Sequence, residues 1–210
     1  MVRGLFITLE GIDGCGKSTH ARLLARWLRR KGFSVLCTDE PTDGPVGRTI
    51  KRILKGKLHV PVEVEVFLFS ADRAWHLANV ILPALERGWV VINERYVGSS
   101  LAYQTARGAS ERLVRRANAL AANPDLAFFI DVSPEVAVKR VRRDREPDEF
   151  ERDIELQQRV RQGYLRQVRR GELRYVDGDR SKEEIQTEMR EVVEKKLRST
   201  CLSGRRRAGT

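Results

Sequence analysis

The chain predicts a three-layer, doubly wound α/β fold on a mostly five-stranded parallel sheet. Three observations carry that prediction. Short continuous apolar runs alternate with helical periodicities, the first run ends in a glycine-rich loop with phosphate-binding spacing, and 210 residues suit one domain rather than two.

The runs Leu5–Leu9, Phe33–Cys37, Trp89–Ile92 and Leu126–Ile130 are rich in β-branched and aromatic residues, which predicts strands buried on both faces. Tyr175 and Val176 supply a last strand. Between them, Ala21, Leu24, Ala25 and Leu28 recur at helical spacing, and Ser110–Ala122 and Pro134–Val141 repeat the pattern. A long helical stretch carries Phe67, Leu68 and Phe69, of which Phe67 and Leu68 read as core. Asp148–Arg170 reads as a charged helix, and Ser181–Leu197 as a closing helix with Ser181 at its N-cap and Glu184 three residues on. One domain is expected over residues 1–198, followed by a disordered basic tail over 199–210.

Composition narrows the class. Hydrophobic residues at 41% and charged residues at 33% suit a globular core, and no apolar stretch reaches the ~18 to 20 residues of a membrane span. The formal charge of +11 predicts affinity for anions without saying which. Cys15, Cys37 and Cys201 lack metal or disulfide spacing, and the N-terminus lacks a signal peptide, so a cytoplasmic protein is expected.

Gly11-Ile12-Asp13-Gly14-Cys15-Gly16-Lys17-Ser18-Thr19 follows the first strand and opens a helix, the context that G-x-x-x-x-G-K-[ST] requires. Glycines let successive N–H groups turn inward, and the helix adds its positive end, so a triphosphate is held by main-chain donors. Lys17 reaches the β and γ phosphates and Ser18 ligates Mg²⁺. Cys15 reads as a small residue turned off the ligand.

In a parallel sheet, ligands bind beyond the C-terminal strand ends. Thr38-Asp39-Glu40-Pro41-Thr42-Asp43 follows the second strand there, either as a ligand loop or, for Asp39 and Asp43, as a solvated turn. Glu94 ends the third strand and can bind Mg²⁺ through water, while Arg95 offers a planar fork to a phosphate. Phe69 and Arg73, four apart, share a helix face, so a ring and a guanidinium can stack on a base and bond its edge. No N-K-x-D guanine-reading tetrapeptide is present.

Taken together, the loop Gly11–Thr19 with Asp13, Glu40-Pro41, Phe69 with Asp72-Arg73, Pro83–Gly88, and Glu94-Arg95-Tyr96 followed by Ser99, Ser100, Tyr103 and Gln104 resemble thymidylate kinases. The resemblance implies the P-loop kinase type of the fold with a helical lid, and transfer of a phosphoryl group from ATP to dTMP with Mg²⁺. It implies that Phe69 stacks on thymine, Arg73 reads its carbonyl edge, Ser100 and Gln104 lie near the base, Arg95 holds the dTMP phosphate, Asp13 helps position dTMP and the transferring phosphoryl, and Tyr103 packs under the deoxyribose. It further implies a homodimer formed through helices. Glu94 stands where the family usually has Asp, Asp39 where a basic residue is common, and Gly14 where some relatives carry Arg.

The lid falls at about residues 139–151, where Lys139, Arg140, Arg142, Arg143 and Arg145 cluster. An arginine brought to the transferring group contributes ~10³ to 10⁵ in rate, and Arg143 and Arg145 are the choices here. The competing readings are a kinase for another nucleoside monophosphate and a P-loop ATPase that binds nucleic acid. No helix-turn-helix, RRM or zinc finger is recognisable, so no specific nucleic acid and no membrane are expected as partners.

Overall fold

Strands β1 (Leu5–Glu10), β2 (Val35–Asp39), β3 (Val90–Glu94), β4 (Leu126–Asp131) and β5 (Arg174–Asp177) pair in parallel, in the spatial order β2-β3-β1-β4-β5. The computed structural model describes residues 4–144 and 152–205, leaving aside the side chains of 143, 144 and 200–205.

All six residues of the central strand β1 are buried. Leu5, Ile7 and Leu9 point into one core, which Leu24 and Leu28 share with Val160, Tyr164, Met189 and Val193. Phe6 points into the other, among Leu77, Ile81, Leu85 and Tyr96. Strand β3 divides the same way, with Val90 and Ile92 on one face and Val91 on the other. The period of two with both faces covered makes the sheet the middle of three layers.

Burial on both faces fails at β2, where Cys37 and Asp39 are exposed because the strand lies at the sheet edge. Two strands also start later than their apolar runs. Phe33 N donates to Leu28 O and Trp89 N to Ala84 O, so each N–H closes the preceding helix instead of bonding across the sheet.

Helices α1 (Lys17–Arg30), α2 (Pro45–Leu54), α3 (Val62–His76), α4 (Leu82–Glu86), α5 (Val97–Ala106), α6 (Glu111–Ala117), α7 (Pro134–Asp144), α8 (Ile154–Arg169) and α9 (Lys182–Arg205) fill the intervals. Between α3 and α4, Leu77–Ile81 forms a π-helical turn. Pro83 just beyond it has no N–H to continue the α pattern, and its ring crowds the carbonyl four residues back, a local cause for the wider turn. Phe67, read as core, is 55% exposed, and Leu68 is half-buried, because α3 turns this face outward.

Ser110 caps α6 by accepting from Leu113 N at 3.2 Å, but the helix ends at Ala117, short of the predicted Ala122. Asn118 closes the last turn, its N–H donating to Val114 O at 3.2 Å, while its side chain bonds inward. Helix α8 begins at Ile154 behind the N-cap Asp153, which accepts from Leu156 N at 2.9 Å. At the start of α9, Ser181 and Glu184 cap each other: Glu184 N donates to Ser181 Oγ at 3.2 Å and Ser181 N to Glu184 Oε2 at 3.0 Å. The helix runs on to Arg205, into the stretch expected to lack structure.

Candidate active site

The chain leaves β1 through Gly11, Gly14 and Gly16, all at positive φ (144°, 81° and 100°), backbone that side chains rarely adopt and that turns the loop around an anion-sized hollow. Lys17 closes that hollow: its Nζ donates to Gly11 O at 3.0 Å and Ile12 O at 2.9 Å, and Asp13 Oδ1 lies at 3.7 Å. Gly14 packs beneath α7, where an added Cβ would come within 2.3 Å of Ala137 O, so this chain has no room for a side chain there. Cys15 is buried in the core, and its Sγ accepts from Lys17 Nζ at 3.7 Å.

Strand β3 lies beside β1, so Glu94 and Arg95 emerge next to the loop. Ser18 Oγ donates to Glu94 Oε2 at 2.6 Å. A hydroxyl and a carboxylate side by side at the cleft suit a hard cation that takes few protein oxygens and completes its shell with phosphates and water, so the donor set fits Mg²⁺.

Arg95 sits in left-handed backbone, φ 66°, a conformation that costs a non-glycine residue ~1 kcal/mol or more. Its Nη2 donates to Asp13 Oδ1 at 2.6 Å, its Nη1 to Gly11 O at 3.3 Å and Ser99 Oγ at 3.4 Å, and its plane lies 5.0 Å from the Tyr103 ring centroid. Burial disfavours the charge, yet Asp13, Tyr103 and Tyr164 together raise the Arg95 pKa well above its ordinary value.

Arg73 is 2% exposed, with partners at both terminal nitrogens and, among the described residues, none at Nε. Its Nη2 pairs with Glu40 Oε2 at 2.8 Å, its Nη1 donates to Ser100 Oγ at 3.2 Å and to Asn118 Oδ1, and it lies over the Tyr96 ring at 5.0 Å. Asn118 Nδ2 donates to Val114 O at 2.8 Å, which turns its carbonyl oxygen toward Arg73. Glu40 is fixed in turn by His76 Nδ1 at 3.1 Å, and His76 Nε2 meets Thr38 Oγ1 at 2.7 Å. Asp72 serves the fold, accepting from Thr42 N at 2.8 Å and Thr42 Oγ1 at 2.6 Å.

Two cavities meet here. One, of about 720 Å³, runs from the phosphate loop past Glu94 to Arg140, Arg180 and Lys182. The other, of about 110 Å³, is mostly apolar and lies between Pro41, Phe69, Arg73, Tyr103 and Gln104. Asp13, Glu40 and Arg95 line both, so a group in one cavity abuts a group in the other across a shared wall.

Most of the predicted site residues thus come together: the loop from Asp13 to Thr19, Glu40, Glu94 and Arg95 on the larger cavity, and Phe69, Arg73, Ser99, Ser100, Tyr103 and Gln104 on the smaller. Gly11 and Ile12 lie behind the larger cavity as acceptors for Lys17. Asp39 is exposed at the larger cavity, whereas Asp43 is a solvated turn residue paired with Lys51 at 2.6 Å. Arg145, and the side chain of Arg143, lie outside the described residues.

Sequence reasoning missed Glu10, Asn118, Arg180 in the β5–α9 connection and Lys182 at the start of α9, the last two of which line the larger cavity. Glu10 left one signal, a charged residue ending an otherwise apolar strand. The others are brought in by topology alone.

A phosphate cradle at the end of a central parallel strand, sharing a wall with an apolar pocket that holds a buried arginine, defines a P-loop nucleotide kinase. A family model described as thymidylate kinase matches residues 9–189. The chain belongs to the thymidylate kinase family. It is 43% identical to a probable thymidylate kinase of Pyrococcus abyssi, over 93% of this chain and 98% of the relative. It is 42% identical to a thymidylate kinase of Nitrosomonas eutropha, over 98% and 100%. Among the described residues, no helix is long and apolar enough to cross a membrane.

Proposed function

We propose that the chain transfers the γ-phosphoryl group of ATP in line to the phosphate of dTMP, giving dTDP. The observation that carries this reading is the shared wall of Asp13, Glu40 and Arg95 between the two cavities. Donor triphosphate in the loop and acceptor phosphate beside Arg95 then face each other, and positioning supplies a large part of the barrier reduction. The acceptor is already an anion, so no general base is needed.

In this reading Gly11–Thr19 wrap the phosphates of ATP, and Lys17 leaves its two loop carbonyls to follow the β and γ oxygens. Ser18 and Glu94 hold Mg²⁺, which supplies charge neutralisation at the phosphates. Arg95, braced by Asp13, grips the dTMP phosphate, while Tyr103 underlies the sugar and crowds a 2′-hydroxyl. Phe69 stacks on thymine, Arg73 donates to a base carbonyl, and Ser100, Gln104 and Glu40 complete the pocket. The segment at about 139–151 closes over the donor, with Arg143 and Arg145 meeting the transferring group, as part of one domain over residues 1–198.

Two molecules pair, in this reading, through the outer face of α3 and α4. Val64, Phe67, Trp75 and Leu82 are all exposed there, at helical spacing, and form an apolar stripe suited to burial against a second copy. The protein works in the cytoplasm.

A coupled spectrophotometric assay against dTMP, dUMP, dCMP and dGMP tests the acceptor. Turnover with dTMP at least ~10-fold above the purine and cytosine nucleotides is expected. Equal rates across the panel would overturn thymine selectivity.

A further inference from the structure

Glu10, the last residue of β1, is 1% exposed and has no part in the reaction as described above. Its Oε2 accepts from Ser99 Oγ at 2.6 Å. The same hydroxyl receives Arg95 Nη1 at 3.4 Å and meets the Tyr164 hydroxyl at 2.9 Å. Tyr164 reaches Gly11 O at 3.5 Å, the carbonyl to which Lys17 Nζ also donates. The backbone makes room for this carboxyl: a Cβ on Gly98 would come within 2.9 Å of it. The charged groups facing it are Arg95, Arg73 and Glu40.

We propose that Glu10 is a positioning residue that sets the plane of the Arg95 guanidinium, through the Ser99 hydroxyl, for the acceptor phosphate. The inference rests on Arg95 being the phosphate clamp. Nη2 is tied to Asp13 and, at 3.4 Å, to the Tyr103 hydroxyl, while Nη1 is shared between Gly11 O at 3.3 Å and Ser99 Oγ; Ser99 is the one of these acceptors whose lone pairs depend on Glu10. Ser99 Oγ has one proton and two lone pairs. When Glu10 is ionised it takes the proton, and both lone pairs are left for Arg95 and Tyr164. When Glu10 is protonated and donates to Ser99, the freed Ser99 proton and the one remaining lone pair are shared between Arg95 and Tyr164, so the hydroxyl no longer presents a fixed acceptor to Arg95.

Burial pushes the Glu10 carboxyl up to about 7, with the Ser99 hydrogen bond and the Arg95 charge working the other way. The better-ordered state of Arg95 therefore belongs to the alkaline side of neutrality.

Calorimetric titration of Glu10→Gln, Ser99→Ala and Arg95→Ala with dTMP, and separately with an unreactive ATP analogue, at pH 6 and pH 8 tests this. The phosphate of dTMP titrates near the same range in every protein, so each variant is compared with the parent at the same pH. Glu10→Gln is expected to weaken dTMP about tenfold at pH 8 and little at pH 6, with the ATP analogue unchanged. Ser99→Ala, which leaves the carboxyl in place, should give the same dTMP-selective loss at pH 8 and serves if Glu10→Gln does not fold. Parent-like dTMP binding in Glu10→Gln, an equal loss at both pH values, or an equal loss for both nucleotides would overturn the proposal. If Arg95→Ala leaves dTMP binding intact, the clamp reading itself fails; if Arg95→Ala weakens it and the other two variants do not, only the role of Glu10 fails.

Discussion

Replacing Arg73 by alanine should do two separable things. In the complex it removes a charge-assisted hydrogen bond to a base carbonyl, worth roughly 1.5 to 3 kcal/mol, or about 10- to 150-fold in dTMP affinity. In the free protein it strips Glu40 of the cation 2.8 Å away, leaving a buried carboxylate with His76 as its remaining partner. Breaking a buried pair from one side costs about 3 to 5 kcal/mol, so the variant should also melt well below the parent. Adding Glu40→Gln removes the stranded charge, and the double variant should regain most of the lost stability while still binding dTMP weakly. Calorimetric titration with dTMP and an ATP analogue, alongside thermal melts of the parent, the single and the double variant, separates the effects. Full dTMP affinity in Arg73→Ala, or recovery of affinity together with stability in the double variant, would refute the assignment of Arg73 to the base.

Lys17→Ala should abolish turnover in the coupled assay while dTMP titrates normally, since Lys17 faces the larger cavity only. Tyr103→Ala should narrow the kcat/KM preference for dTMP over the ribonucleotide by about tenfold, an effect read directly from paired kinetics. His20, buried against Gln186 Nε2 at 2.9 Å, has its pKa pushed down to about 4 by burial with help from Lys182 and Arg140. The unfolded chain then takes up a proton before the folded one does. Its contribution is complete above pH 6.5 and falls by about 3 kcal/mol as the pH drops toward 4. Urea unfolding of His20→Asn should therefore lose less stability than the parent between pH 6.5 and 4.5; parallel curves would contradict this.

The order of elements and the phosphate loop were legible because both rest on local rules: apolar runs for buried strands, glycines at positive φ, and Ser181 with Glu184 for a helix start. The misjudged places are those where neighbours decide. Phe67 has core chemistry, but α3 presents it to solvent. Phe33 and Trp89 have strand chemistry, but each is taken by the end of a helix. Asn118 was expected inside a helix, yet its amide is one side of the box around Arg73. Such partners stand 45 residues apart in the chain for Asn118 and Arg73, and 89 for Ser99 and Glu10, separations that no local pattern spans.

The division of labour around the shared wall has a bearing on how such an enzyme can change. The donor side is drawn from the β1–α1 loop and the β5–α9 connection, the acceptor side from α3, α5 and the loop after β2, with Asp13, Glu40 and Arg95 common to both. On the proposed roles, replacements confined to Phe69, Ser100, Tyr103 or Gln104 would alter which nucleotide is chosen without touching the cavity that the phosphate loop lines. Selectivity could then drift while the chemical step is conserved, whereas a change at the three common positions would reach both cavities at once.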